Sequence, residues 1–360
     1  MDDARVAHLR SFVSADLTPY YDTHFNLLRW IQGNPGRSLE KVAAKLRHHL
    51  RFRASSWDVD GIHERARDHA IHRHLPVTRC GLSRVIPNCI VHVDQSGYTD
   101  HAGMFENFSV TEIMKASIYD LEQMLARVME IERETSQQAS VLYVMDAEGV
   151  TNSKHVREVL LGPLKAVSEF MAEHYVELVK HIVVINVPTW AIALWAVMKP
   201  VMPEKTVEKV RLLSSSNWRE EIHSFMDPSI GPTFWNNEKH SEFLLKMERP
   251  PKVPKREHVK TLEKSSNLLV KAGQEHWIDF NLEQGDEVAF KVTGNTNFGF
   301  AIVQDSGEED AYSMRQLFPF ISCVPGPLRV TIEDSVIAPH SGLYKVWFSN
   351  THAWWSALTI

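Results

Sequence analysis

Between Val141 and Ser216, two strand-like runs flank a helical segment and an almost wholly apolar helix follows; no other stretch restricts the fold as tightly. The first run, Val141-Leu142-Tyr143-Val144-Met145, ends at the acidic turn Asp146-Ala147-Glu148-Gly149, where glycine supplies a conformation other residues resist. From His155 to Leu178, apolar residues recur at three- and four-residue spacing, including Val156, Val159, Leu160, Leu164, Val167, Phe170 and Met171, the pattern of a crossover helix laid on a sheet. Ile182-Val183-Val184-Ile185 follows without alternation, as a parallel strand covered on both faces would.

After Pro188, the segment from Trp190 to Met198 is helical by composition and apolar around most of its circumference, and Lys199-Pro200 and Pro203 stop it. Such a helix must be covered by a core or by a lipid. It is too short to cross a bilayer, which takes roughly 20 apolar residues. An ordinary core helix is the plain alternative.

The order of these elements resembles the lipid-binding domain of the CRAL-TRIO family, the Sec-fourteen-like phosphatidylinositol transfer proteins. Leu142 to Gly149 is similar to the family's strand ending in Asp-x-x-Gly, and His174-Tyr175-Val176-Glu177 to its Tyr-Pro-Glu turn with valine for proline. Val184 to Pro188, Met198-Lys199-Pro200-Val201-Met202, Thr206-Val207-Glu208-Lys209 and Leu213-Ser214-Ser215 resemble the segments that follow, in the family's own order. Upstream, Asn26-Leu27-Leu28-Arg29-Trp30 and Leu39 to Leu46 resemble the small helical domain before the pocket. The family's basic pair after that first motif is replaced here by Gln32-Gly33-Asn34-Pro35-Gly36-Arg37, and its aromatic-Gly-Gly close by Gly231 to Asn236.

The resemblance implies an α/β domain with a mostly parallel sheet and covering helices. It implies a headgroup site at Glu177, Thr206 and Lys209, where lysine offers a point charge to phosphate and the other two share hydroxyl hydrogen bonds. It also implies an apolar pocket and lid formed by Tyr143, Met145, Ile185, Trp190, Ile192, Ala193, Leu194, Trp195, Val197, Met198, Val201 and Met202. Trp190 and Trp195 suit the headgroup level of a membrane.

The proline- and charge-rich run Glu248 to Arg256 reads as a linker. Beyond it, Trp277 to Leu282, Val288 to Thr293, Leu328 to Ile332 and Tyr344 to Phe348 show period-two patterning separated by turn signals, and Trp354 to Leu358 reads as a last strand; an antiparallel β-sandwich is expected. Pro339 to Asn350 resembles a GOLD domain, a Golgi-associated sandwich that follows the CRAL-TRIO domain in animal proteins. The expected division is a helical segment over 1–60, a lipid-binding domain over 61–247, a linker over 248–258 and a GOLD-like sandwich over 259–360.

Composition excludes other classes. A formal charge of −6 and a pI near 6.3 lack the basic excess of a nucleic-acid binder. Cys80, Cys89 and Cys323 give neither a disulfide framework nor a metal spacing, which fits a reducing, cytoplasmic setting. No secretory signal or spanning segment is seen, so membrane contact, at the Golgi or elsewhere, would be peripheral. His63-Glu64-Arg65-Ala66-Arg67 lacks the second histidine of a zinc-protease helix, and Gly81 to Val85 the closing glycine of a hydrolase elbow. The cluster His63, His69, His72 and His74 is more simply a solvated helix than a metal site, Gly294 to Gly299 a strand connection, and Asp146 with Glu148 a turn rather than a catalytic pair. The expected function is thus non-enzymatic: a carrier that needs no cofactor or metal, binds a phospholipid, phosphatidylinositol being one candidate, and exchanges it at membrane surfaces. A carrier of a smaller hydrophobe of tocopherol, squalene or retinoid type, and a Golgi or signalling adaptor with a protein partner on its sandwich, stay open as alternatives.

Overall fold

In the computed structural model of the chain, residues 2–75, 77–153, 158, 162–199, 204–255 and 267–360 are described. Three helices come first: α1 (Asp2–Val13), α2 (His24–Gly33) and α3 (Leu39–Arg53). Thr23 caps α2 by accepting from the Asn26 N–H, and Ser38 caps α3 through Lys41, each satisfying an amide the helix leaves unpaired. Their apolar faces, with Leu27, Trp30, Leu46 and Leu50, pack on Met124, Leu125 and Val128 of a long helix from the next domain.

That domain is a five-stranded sheet in the order β1 (Val77–Leu82), β2 (Cys89–Asp94), β3 (Ser140–Asp146), β4 (Val179–Val187), β5 (Val210–Ser214). The first pair is antiparallel and the rest parallel, as the unalternating runs predict. Helix α4 (His101–Asn107) and the 26-residue α5 (Val110–Thr135), started by a Ser109–Glu112 capping box, separate β2 from β3. Between β3 and β4 the described crossover helix is α6 (Pro163–His174), and most of the expected helix before it lies outside the described residues. The short α7 (Thr189–Met198) and α8 (Glu204–Lys209) lead into β5, and α9 (Trp218–Glu221) follows it.

Side chains alternate across the sheet. Val91, Val93, Leu142, Val144, Val183, Ile185 and Leu213 face one side, sealed by Trp218, Trp235 and Phe243. On the other, Tyr143, Met145, Ile182 and Val184 are only half-buried. At the end of β4, Asn186 adopts φ 55°, a left-handed conformation asparagine tolerates, and the β4–β5 register breaks between Val184 and Val187.

The C-terminal part is antiparallel throughout. β6 (Leu269–Val270), β7 (Glu275–Leu282), β8 (Glu287–Val292), β9 (Phe298–Gln304), β10 (Arg315–Val324), β11 (Ile332–Ile337), β12 (Gly342–Ser349) and β13 (Leu358–Thr359) form a four-stranded sheet in the order β10-β9-β12-β7 and the pairs β11-β8 and β13-β6. Two of these strands, β9 and β10, escape a search for alternation because β9 is buried along nearly its whole length and β10 carries Pro319 and three register shifts. The strand expected over Leu328 to Ile332 begins only at Ile332. The strand expected from Trp354 is reduced to Leu358–Thr359: Asn350 Nδ2 donates to the carbonyls of Val270 and Ser356, closing a loop that leaves Trp354 and Trp355 89% and 90% exposed.

The sandwich does not hang on a free tether. Phe298, Phe300, Phe318 and Tyr344 share one continuous core with Phe52, Trp57, Met114 and Phe170, and Trp57 meets Phe318 edge to face. Part of the expected linker is pinned to the α/β domain. Arg249 pairs with Glu148, lies over the rings of Tyr98 and Phe234 at 3.7 and 3.8 Å, and is followed by Val253, whose N–H donates to Asp100.

Candidate functional site

A cavity of about 610 Å³ opens where the N-terminal helices, α6, the start of β4 and the sandwich meet. That is within the roughly 300–1,000 Å³ of small-molecule sites. Its apolar wall comes from Trp30, Leu121, Met171, Val176, Val179 and Ile182, and its polar wall from Lys45, Glu173, Glu177, Lys209 and Tyr312. The wall is tight on one side: a Cβ on Gly33 at the end of α2 would stand 2.1 Å from Val176 Cγ1, so this glycine admits the turn that follows α6.

Two residues of the expected headgroup set come together here. Glu177 has φ 53°, uncommon for a residue with a side chain, and its carboxylate accepts from Lys209 Nζ at 2.8 Å with both side chains about three-quarters covered. Thr206 lies on α8, one turn before Lys209, with its side chain outside the described residues.

The expected lid and pocket residues sit elsewhere. Helix α7 follows the far end of β4, whereas the cavity lies toward the strand's beginning. Trp190 and Trp195 are half-buried, Ala193 and Ala196 are exposed, and Ile192 is 37% exposed, so this apolar helix is not enclosed on all sides. The side chains of Leu194, Val197 and Met198, and all of Val201 and Met202, lie outside the described residues. Ile185 points into the sealed core with Val183 and Trp235, because it is out of phase with Tyr143 and Met145 across the sheet. Tyr143 and Met145 face the half-filled side. There, Tyr143 donates to Asp94 at 3.0 Å and lies against the His92 ring. Burial holds the Asp94 carboxyl above its ordinary range and pushes the Tyr143 phenol well above its own, so the pair keeps its proton on the phenol.

Asp146 is fully buried and saturated. It accepts from Trp235 Nε1 at 3.0 Å, Asn186 Nδ2 at 2.8 Å and the Glu148 N–H at 3.0 Å, so it fastens the turn after β3 to the sealed face. The histidines between residues 63 and 74 do not converge on one point: His63 and His74 contact backbone carbonyls, His69 faces Glu112, and His72 is buried against Tyr119.

Pairing absent from the local sequence shapes the site. Arg53 donates to both oxygens of Glu122 at 2.7 and 2.9 Å, Tyr175 adds a third bond to that carboxylate at 2.8 Å, and Arg29 pairs with Glu132 while donating to the Ala139 carbonyl at 2.8 Å. These buried pairs fix the helical segment to α5 and to the turn that carries Glu177. The only sequence signal for them is a charge placed inside an otherwise apolar helix face.

Residues 87–236 match the family model described as "CRAL/TRIO domain", and residues 251–360 match the one described as "F28H7_8_C:-like, C-terminal domain". The resemblance read from the motifs is thus borne out for the pocket-bearing segment, while the sandwich is matched by a model other than GOLD. The CRAL-TRIO domain-containing protein F28H7.8 of Caenorhabditis elegans is 26% identical over 307 residues, spanning 82% of this chain and 74% of the relative. The crystal structure of Sfh5 aligns with a TM-score of 0.48 and 13% identity, over 64% of this chain and 83% of that one. Among the described residues no helix is long and apolar enough to cross a membrane.

Proposed function

We propose that the chain binds a single lipid-like molecule and exchanges it at membrane surfaces, with α7 as the moving cover and the Glu177–Lys209 pair, joined by Thr206, as the polar contact. One observation carries this reading: an uncharged, ten-residue apolar helix directly after β4 keeps Ile192, Ala193 and Ala196 exposed, while one face of the sheet is only half-filled. Exposed apolar surface costs about 25 cal/mol per Å², so a folded chain retains it where something else covers it in use. The CRAL/TRIO match over 87–236 supports the same reading.

Energetics set the mechanism. A buried methylene is worth about 0.8 kcal/mol in a bilayer or in a dry pocket, so moving acyl chains between them is close to neutral. The barrier is the exposure of the chains to water in transit. Docking α7 on the membrane while the pocket is open avoids that exposure, and closing it restores a covered surface. The chemistry is binding, without a covalent step, and the setting is the cytoplasmic face of a membrane.

Phosphatidylinositol is the ligand we favour, because a lysine and a glutamate at hydrogen-bonding distance serve a phosphate and an inositol hydroxyl better than they serve a hydrocarbon. The 610 Å³ cavity favours a smaller hydrophobe as the second reading. Transfer of fluorescent phosphatidylinositol and phosphatidylcholine between vesicles separates the two. Selective loss of phosphatidylinositol transfer, by about tenfold or more, in Lys209→Ala supports the favoured ligand. Transfer of neither lipid by the folded protein, with only a single-chain isoprenoid in its extract, overturns the phospholipid version. Ala193→Asp, a charge on the exposed face of α7, should slow exchange if that face docks on a membrane; unchanged exchange would leave an adaptor built on the sandwich.

A further inference from the structure

Three ligating side chains meet at the junction of α3, α6 and the Tyr312 segment, beside the cavity but apart from the Glu177–Lys209 pair. Ligand atoms of His48, Glu173 and His174 all lie within 4.8 Å of one another. His48 Nδ1 is 2.9 Å from the carbonyl of Tyr312, a contact that requires a proton on Nδ1 and so leaves the lone pair on Nε2. That Nε2 is buried without a hydrogen-bond partner, 4.0 Å from Glu173 Oε1. His174 Nδ1 faces His49 Nδ1 at 3.1 Å, and its own Nε2 is likewise buried without a partner. With His174 donating to His49, its lone pair is left on the buried Nε2.

Burial leaves both of these imidazole nitrogens without a compensating hydrogen bond, beside a carboxylate whose oxygen belongs to the same cluster. We propose that His48, Glu173 and His174 bind a divalent transition-metal ion of the zinc class, tying the helical segment, the crossover helix and the sandwich together. Two imidazoles and one carboxylate are a donor set that suits Zn²⁺ or Co²⁺, and the hydrogen bond from each Nδ1 is the outer contact that orients a metal-bound histidine. Tetrahedral bonds of about 2.0–2.1 Å place donors roughly 3.4 Å apart, so the separations close by at most about 1.4 Å on binding. Glu173, 37% exposed at the cavity edge, has room to make that movement, and the adjoining cavity leaves space for a fourth donor. Tyr312 bonds Glu173 as a partner for the carboxylate. Lys45 beside Glu173, Arg51 and Asp310 near His48, and Arg53 near His174 complete the charged surroundings.

The test uses the full chain stripped with a chelator and titrated with Co²⁺, whose visible spectrum reports tetrahedral coordination. One equivalent should bind, Zn²⁺ should displace it, and thermal unfolding should move upward. Glu173→Gln and His174→Gln should each weaken binding by about 10–100-fold, while His72→Gln, a buried histidine outside the cluster, should bind as the parent does. Absence of saturable uptake at micromolar Co²⁺ overturns the proposal, as does equal uptake by the parent and both cluster variants. If His174→Gln fails to fold, Glu173→Gln decides, since its side chain lies at the cavity edge.

Discussion

The two faces of the parallel sheet come from the same strands, often from adjacent residues, yet they are finished differently. On one, Leu142, Val144, Val183 and Ile185 meet Trp218, Trp235 and Phe243 and are fully buried; on the other, Tyr143, Met145, Ile182 and Val184 stay half-covered, with Ile182 at the cavity wall. One face therefore holds the fold, and the other is the face the proposed ligand would cover. Sheet alternation makes the separation possible, because a residue and its neighbour serve opposite sides.

The largest expected effect comes from breaking the sealed side. Trp235→Ala removes a fully buried indole and the donor to Asp146, and should lower the unfolding free energy by about 3–5 kcal/mol in a denaturant titration. A smaller loss would mean that the face repacks. A matched pair sharpens the contrast. Ile185→Ala should cost about 2–5 kcal/mol with exchange kinetics retained in the folded fraction, whereas Met145→Ala should cost less than about 1.5 kcal/mol and alter ligand exchange instead. Equal destabilisation by both would show that the second face is an ordinary core.

The smallest effect lies outside both faces. Burial, with Arg67 and His69 adding to it, holds His72 down to about 4, below the 6.5 of a free histidine. The unfolded chain therefore binds a proton more readily, and stability present above pH 6.5 is lost as pH falls toward about 4. His72→Gln should make the stability profile shallower over that window, with the buried His48, His49 and His174 supplying the remaining slope, while leaving the response of the two sheet faces unchanged; an unaltered profile would remove His72 as a contributor.

Much of this was legible in the sequence. β3, β4 and the apolar helix sit where unalternating runs and Pro188 place them, because local composition decides such elements. The meeting of Glu177 with Lys209 was accessible only through resemblance, since 32 residues separate them. The sealed side of Ile185 was misassigned to the pocket because a run of four β-branched or apolar residues carries no mark of which neighbour faces which way. The strand β9 escapes for the same reason, and β10 because Pro319 and its register shifts break the alternation. The cluster of His48, Glu173 and His174 depends on a contact across 125 residues between α3 and α6, which no spacing rule encodes.

The buried pairing of Arg53 with Glu122 and Arg29 with Glu132 bears on how such a protein is inherited. The acids lie in α5, within residues 87–236, but the arginines that neutralise them belong to helices before that segment. A segment moved alone into another gene would carry two carboxylates into its interior without their counter-charges, a defect worth about 3–5 kcal/mol for each broken pair. Recombination can therefore pass on the helices and the pocket as one heritable block, and a breakpoint near residue 87 would yield an offspring chain that has lost the means to fold.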